Sequence, residues 1–120
     1  MSKIQASAKL KIPTGRLDEF KEASADYIKE VKEKDKGTLQ CDWFLSSDKT
    51  ECEIREMYES SEAALAHQTN LEESIKDIFQ KFGTPYSVTI NGDPSAEVLE
   101  NTKAGGLDAK IYSFLVGIQN

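Results

Sequence analysis

The sequence predicts an α+β domain on three observations: runs in which apolar and polar residues alternate, runs in which apolar residues recur every three or four positions, and an order that interleaves the two. With 120 residues, 38% hydrophobic and 30% charged, the chain has the size and make-up expected of one globular domain spanning 1–120.

Lys3 to Ile12 alternates strictly. Ile4, Ala6, Ala8, Leu10 and Ile12 fall on one side and Gln5, Ser7, Lys9 and Lys11 on the other, the pattern of a half-buried strand. Pro13-Thr14-Gly15 breaks it, with Thr14 the expected helix cap, and Leu17, Phe20, Ser24, Tyr27, Ile28 and Val31 then follow at helical spacing. That helix should end near Lys34, with Gly37 closing the connection.

Thr38 to Ser46 and Glu51 to Glu59 read as a hairpin around Ser47-Asp48-Lys49-Thr50. If Ser46 faces Glu51, then Leu45 opposes Cys52, Trp43 opposes Ile54, Cys41 opposes Glu56 and Leu39 opposes Tyr58. Cys41 and Cys52 are then out of register for a bond, so both are expected as thiols. On the opposite face an Asp42–Arg55 ion pair is expected.

Ser60-Ser61 should start a short helix, Glu62 to Gln68, and Asn70 with Glu73 carries a capping-box signature for another. Leu71, Ile75, Ile78, Phe79 and Phe82 form its apolar stripe. Gly83-Thr84-Pro85 ends it, and Tyr86, Val88 and Ile90 alternate in a fourth strand. The order β-α-β-β-α-β is that of a ferredoxin-like split βαβ unit, with both helices on one face of an antiparallel sheet. Residues 92–120 extend it by a helix near Ser95 to Lys103, capped by Asp93 or Ser95, a Gly105-Gly106 hinge, and a strand from Ala109 to Ile118. This last strand is apolar on both faces and so expected to be covered on both.

Net charge −6 and a pI near 4.8 exclude a basic nucleic-acid face. The sequence holds no apolar block of signal-peptide or membrane-spanning length, which makes a cytoplasmic protein the expectation. One His and two Cys without close spacing match no zinc pattern, and no metal or cofactor is expected.

Four side chains stand out. Trp43, Glu56 and Tyr58 share the apolar face of the hairpin, where two rings around a carboxylate suit an aromatic ligand, although large aromatics on such a face are usually core. A carboxylate there needs a partner, and His67 or a ligand would serve. His67 is the one side chain whose ordinary pKa lies near neutrality, and so the candidate to take a phenolic proton, though a lone His can equally satisfy a backbone group.

The run Glu53-Ile54-Arg55-Glu56-Met57-Tyr58-Glu59-Ser60-Ser61-Glu62-Ala63-Ala64-Leu65-Ala66-His67 resembles antibiotic biosynthesis monooxygenase domains, in which a strand with a glutamate and an aromatic leads into a helix bearing a histidine. Ile12 to Phe20 and Lys36 to Leu39 are similar to the family's first strand-to-helix turn and second-strand entry. The resemblance implies a homodimer through sheet-to-sheet packing, with two sheets forming an α/β barrel and a pocket between each sheet and its helices. It also implies a cofactor-independent monooxygenase of a small phenolic or quinol-like substrate; the residues read above then give His67 as catalytic base, Glu56 as its catalytic orienter, and Trp43 and Tyr58 as substrate-binding walls. A non-catalytic dimeric binding or scaffold domain is the alternative. A haem-degrading branch pairs a first-strand asparagine with a third-strand tryptophan. This chain departs from that pattern, with Gln5 but no Asn on the first strand and Tyr58 at the aromatic position.

Overall fold

The computed structural model describes residues 3–118. Along the chain lie β1 (Ile4–Lys11), α1 (Leu17–Lys34), β2 (Thr38–Leu45), β3 (Glu51–Tyr58), α2 (Ser61–Asn70), α3 (Glu72–Phe82), β4 (Ser87–Asn91), α4 (Ala96–Ala104) and β5 (Ala109–Tyr112). They form the expected ferredoxin-like α+β fold, with the sheet ordered β2-β3-β1-β4-β5. β1 runs antiparallel to both neighbours, and β5 adds to β4 in parallel. Among the described residues no helix is long and apolar enough to cross a membrane.

The hairpin adopts the register the alternation predicts, with Leu45 opposite Cys52, Trp43 opposite Ile54 and Cys41 opposite Glu56. Both cysteines are free. The register slips between Thr38 and Gln40, so Thr38 rather than Leu39 faces Tyr58, and Leu39 is exposed at the irregularity. Asp42 does face Arg55 across the strands, but the expected ion pair is absent. Arg55 binds Glu53 two residues back on its own strand (3.1 Å), and Asp42 accepts from Gln40 (3.0 Å). For exposed charges these alternatives differ little in energy, so register alone does not select a partner.

Two of the expected caps are also revised. Arg16, not Thr14, occupies the start of α1, and its guanidinium binds Glu19 (3.1 Å) and the Lys81 carbonyl instead of capping. α2 is longer than expected and is capped by Ser60, whose hydroxyl accepts from the Ala63 N–H (3.2 Å). Asn70 is the last residue of α2, Leu71 stands before α3 without a side-chain cap, and the Asn70 amide is used elsewhere. In the extension, Ser95 caps α4 (3.3 Å to Val98 N). The final strand stops at Tyr112, and Phe114, Leu115, Val116 and Ile118 are exposed rather than covered.

The helices pack on the face carrying Ile4, Leu10, Ile54 and Tyr58, in two separate apolar clusters. Leu10, Phe20, Tyr27, Val31, Ile54, Ile78 and Phe82 join α1 and α3 to one half of the sheet. Ile4, Tyr58, Ala64, Ile90 and Val98 join α2 and α4 to the other. The inward face of β1 runs Ile4, Ala6, Ala8, Leu10, so a large residue anchors each cluster and two small ones lie between them. Alanine methyls leave unfilled the depth a leucine would occupy, and a cavity opens there.

Candidate active site

The cavity between sheet and helices has a volume of about 520 Å³, and Trp43, Glu56, Tyr58 and His67 all line it, together with Tyr27. The ladder brings Trp43, Glu56 and Tyr58 onto one face of β2 and β3, and α2 follows β3 closely enough to set the His67 ring 5.2 Å from that of Tyr58. Trp43 stacks obliquely on Phe20 and Tyr27, with centroids 5.8 and 5.3 Å away. Its indole N–H is buried without an acceptor among the described residues.

His67 is the centre of the arrangement, with only 8% of its side chain exposed. Its Nδ1 hydrogen-bonds Asp35, whose side chain is 3% exposed. Nε2 lies 2.9 Å from the Tyr27 hydroxyl and 3.4 Å from a Glu56 oxygen. A carboxylate can only accept, so Nδ1 carries a proton toward Asp35 and the neutral ring presents the Nε2 lone pair to the Tyr27 O–H. Asp35 is itself fixed by Asn70 Nδ2 (2.8 Å) and Thr38 Oγ1 (3.0 Å). A close approach makes this possible. A Cβ on Gly37 would sit 2.6 Å from that of Ala63, so only glycine lets the segment after Asp35 run against α2.

The charges follow from this geometry. Burial opposes protonation of His67, but the hydrogen bonds and charges of Glu56 and Asp35 outweigh it and raise its pKa above 6.5. Burial likewise opposes ionisation of Asp35, yet the bonds from Asn70, His67 and Thr38 prevail and lower its pKa. Burial, reinforced by the Glu56 charge, pushes the Tyr27 and Tyr58 hydroxyls upward, so both stay protonated donors. The same two causes push the Cys41 thiol up, 3.7 Å from Glu56, which makes it a poor nucleophile.

Asp35, Asn70 and Tyr27 had no place in the site read from sequence. Glu56, expected to orient His67, stands beside Nε2 instead, and the residue that holds the ring through Nδ1 is Asp35. The available signal was an acidic residue at the end of α1 followed by a glycine, but within Lys34-Asp35-Lys36-Gly37 it looks like any charged helix terminus. Among the described residues no group of His, Cys, Asp and Glu is arranged to hold a metal ion.

The structure is thus an α+β protein with a ferredoxin-like sheet under four helices, in which a buried histidine and Glu56 line a cavity and Asp35 holds the histidine from behind. The chain belongs to the antibiotic biosynthesis monooxygenase family, whose profile matches residues 4–82. Among solved structures it is similar to MupZ from Pseudomonas fluorescens (18% identity, 98% of this chain and 89% of that one, TM-score 0.79). It is also similar to Rv0793 from Mycobacterium tuberculosis (17%, 78% and 96%, TM-score 0.64) and to a conserved protein from Methanosarcina mazei Go1 (15%, 75% and 91%, TM-score 0.65). The family profile ends with α3, whereas the match to MupZ takes in the α4–β5 extension as well. No curated protein matches the sequence.

Proposed function

We propose that the protein is a cofactor-independent monooxygenase of a phenolic or quinol-like substrate, with His67 as general base. The observation that carries this reading is the histidine on the cavity wall, its Nδ1 bonded to a buried carboxylate and its Nε2 beside a second one. Family membership agrees with it.

In this reading a substrate hydroxyl displaces Tyr27 from Nε2 and gives up its proton there. Asp35 holds the ring in the tautomer that can accept it and, with Glu56, stabilises the imidazolium formed. The substrate anion donates an electron to dioxygen. One oxygen atom enters the ring and the other leaves as water, so that a phenol and dioxygen give a quinone and water, with the electrons coming from the substrate. Trp43 and Tyr58 bind the ring. Oxygen uptake with a quinol tests the reading: it should fall about 10²–10⁴-fold in His67→Ala, the usual share of a general base, and equal uptake removes His67 from the mechanism. Binding without any oxygen uptake would support a non-catalytic binding domain instead.

The working unit in this reading is a homodimer. The outward sheet face is polar, with Gln5, Lys9, Arg55 and Asn91 exposed, while large apolar residues are bare at its two edges. Leu39, Phe44 and Leu45 lie on β2, and the arm after β5 carries Phe114 and Leu115, the latter 90% exposed. Pairing the arm of one protomer with the β2 edge of another covers both and closes two sheets into a barrel around the polar face.

A further inference from the structure

We propose that the ligand is two-ended: a phenol or quinol ring held at His67 and bearing an extended apolar substituent that crosses β1 and lies against α4. This rests on the aromatic-substrate reading and adds to it a class of molecule.

Volume is the first reason. At about 30 Å³ per non-hydrogen atom, the share of a molecule in liquid water, a 520 Å³ cavity takes roughly 17 such atoms, about twice what a one-ring quinol has. The excess lies on one side. Glu56 and Tyr58 stand on β3, the floor over β1 is Ala6 and Ala8, and the far wall is Val88 of β4, Val98 of α4 and Leu107 before β5. From β3 to β4 is two strand spacings, roughly 10 Å.

The far wall offers carbon. Its polar groups are tied to one another: Gln68 bonds Thr102 and Asn101 (3.3 Å each), and Thr102 bonds the Val98 carbonyl (2.8 Å). The rim carries exposed Lys76 of α3 and exposed Asn101 of α4, so the cavity opens between these helices and the substituent points toward that mouth. An apolar wall opposite an acid–base cluster selects a molecule with the same division.

Binding under argon of 4-alkylphenols from phenol to 4-octylphenol tests this without turnover. Trp43, the one tryptophan in the chain and part of the cavity wall, reports it by fluorescence. Affinity is expected to rise about fourfold per methylene over several carbons, the value of a fully buried CH₂, and then level off. In Val98→Phe and Ala104→Phe, which fill the α4 end from a buried and an exposed position, that slope should flatten. Equal affinity for phenol and 4-octylphenol, no binding of either, or an unchanged slope in both variants would overturn the proposal. The two readings separate on oxygen. A chain-length slope without oxygen uptake from 2-octylhydroquinone keeps the ligand class and discards the oxygenase. Uptake with the same KM for hydroquinone and 2-octylhydroquinone does the reverse.

Discussion

Asp35 and His67, 32 residues apart in sequence, are joined by a part-buried hydrogen bond from the imidazole Nδ1 to the carboxylate. The bond decides which nitrogen faces the cavity. Without it the neutral ring could place its proton on Nε2, where it would block proton uptake from a ligand.

Replacing Asp35 by Asn should therefore lower kcat about 10²–10⁴-fold with a smaller change in KM, because the amide can stabilise the wrong tautomer and cannot balance an imidazolium. Steady-state kinetics of D35N beside Asn70→Ala, which removes one of the two other donors to Asp35, checks this. Asn70→Ala should fall between wild type and D35N.

The pH profile follows from the raised pKa of His67. With His67 as the proposed base, activity needs the neutral ring, so kcat/KM should rise with pH through a midpoint above 6.5. In D35N one of the two raising carboxylates is gone, and the midpoint should move down. A midpoint that stays in place would assign the profile to another group.

The same shift has an opposite sign for stability. A group whose folded pKa exceeds its unfolded one contributes stability that is fully present below the unfolded value and is lost as pH rises through the folded value. Thermal unfolding should thus show Tm declining across that window on the alkaline side of 6.5, and His67→Gln should flatten the decline.

Filling the floor of the cavity separates site from scaffold. Ala8→Leu adds bulk where space is already open, so its cost should stay below the about 1–3 kcal/mol of an overpacked core, while 4-octylphenol binding drops at least about tenfold. Denaturant unfolding and Trp43 fluorescence measure the two quantities on one sample.

Much of this was legible in the sequence. Strict alternation in β1 and across the hairpin specified the faces, because a one-residue slip would have exposed every buried side chain. The element order then followed from where the period changed. The Leu39 irregularity and the partner of Arg55 were not legible, since both depend on small differences among exposed groups. In the site, Asn70 looked like a helix cap because Glu73 follows at the right spacing, whereas its amide is committed to Asp35. Tyr27 sits in the apolar stripe of α1 and shows its role only once α2 brings His67 to its hydroxyl. Ala6 and Ala8 satisfied the alternation, and their small size, which makes the cavity, carries no weight in a two-letter pattern.

In the proposed homodimer the arm after Tyr112 supplies the contact with the β2 edge. Light scattering at micromolar concentration should give twice the chain mass for the intact protein and a single chain after truncation at Tyr112, with Phe44→Lys weakening the pair from the other side. A monomeric intact protein would remove the barrel.

The most direct measurement is oxygen consumption with 2-octylhydroquinone by wild type and His67→Ala at pH 8, after both are shown to be folded. We expect uptake by wild type to be matched by hydroxyquinone formed, and the variant to retain the ligand with uptake reduced at least about 10²-fold. Equal rates in the two proteins would contradict the assignment of His67 as the base.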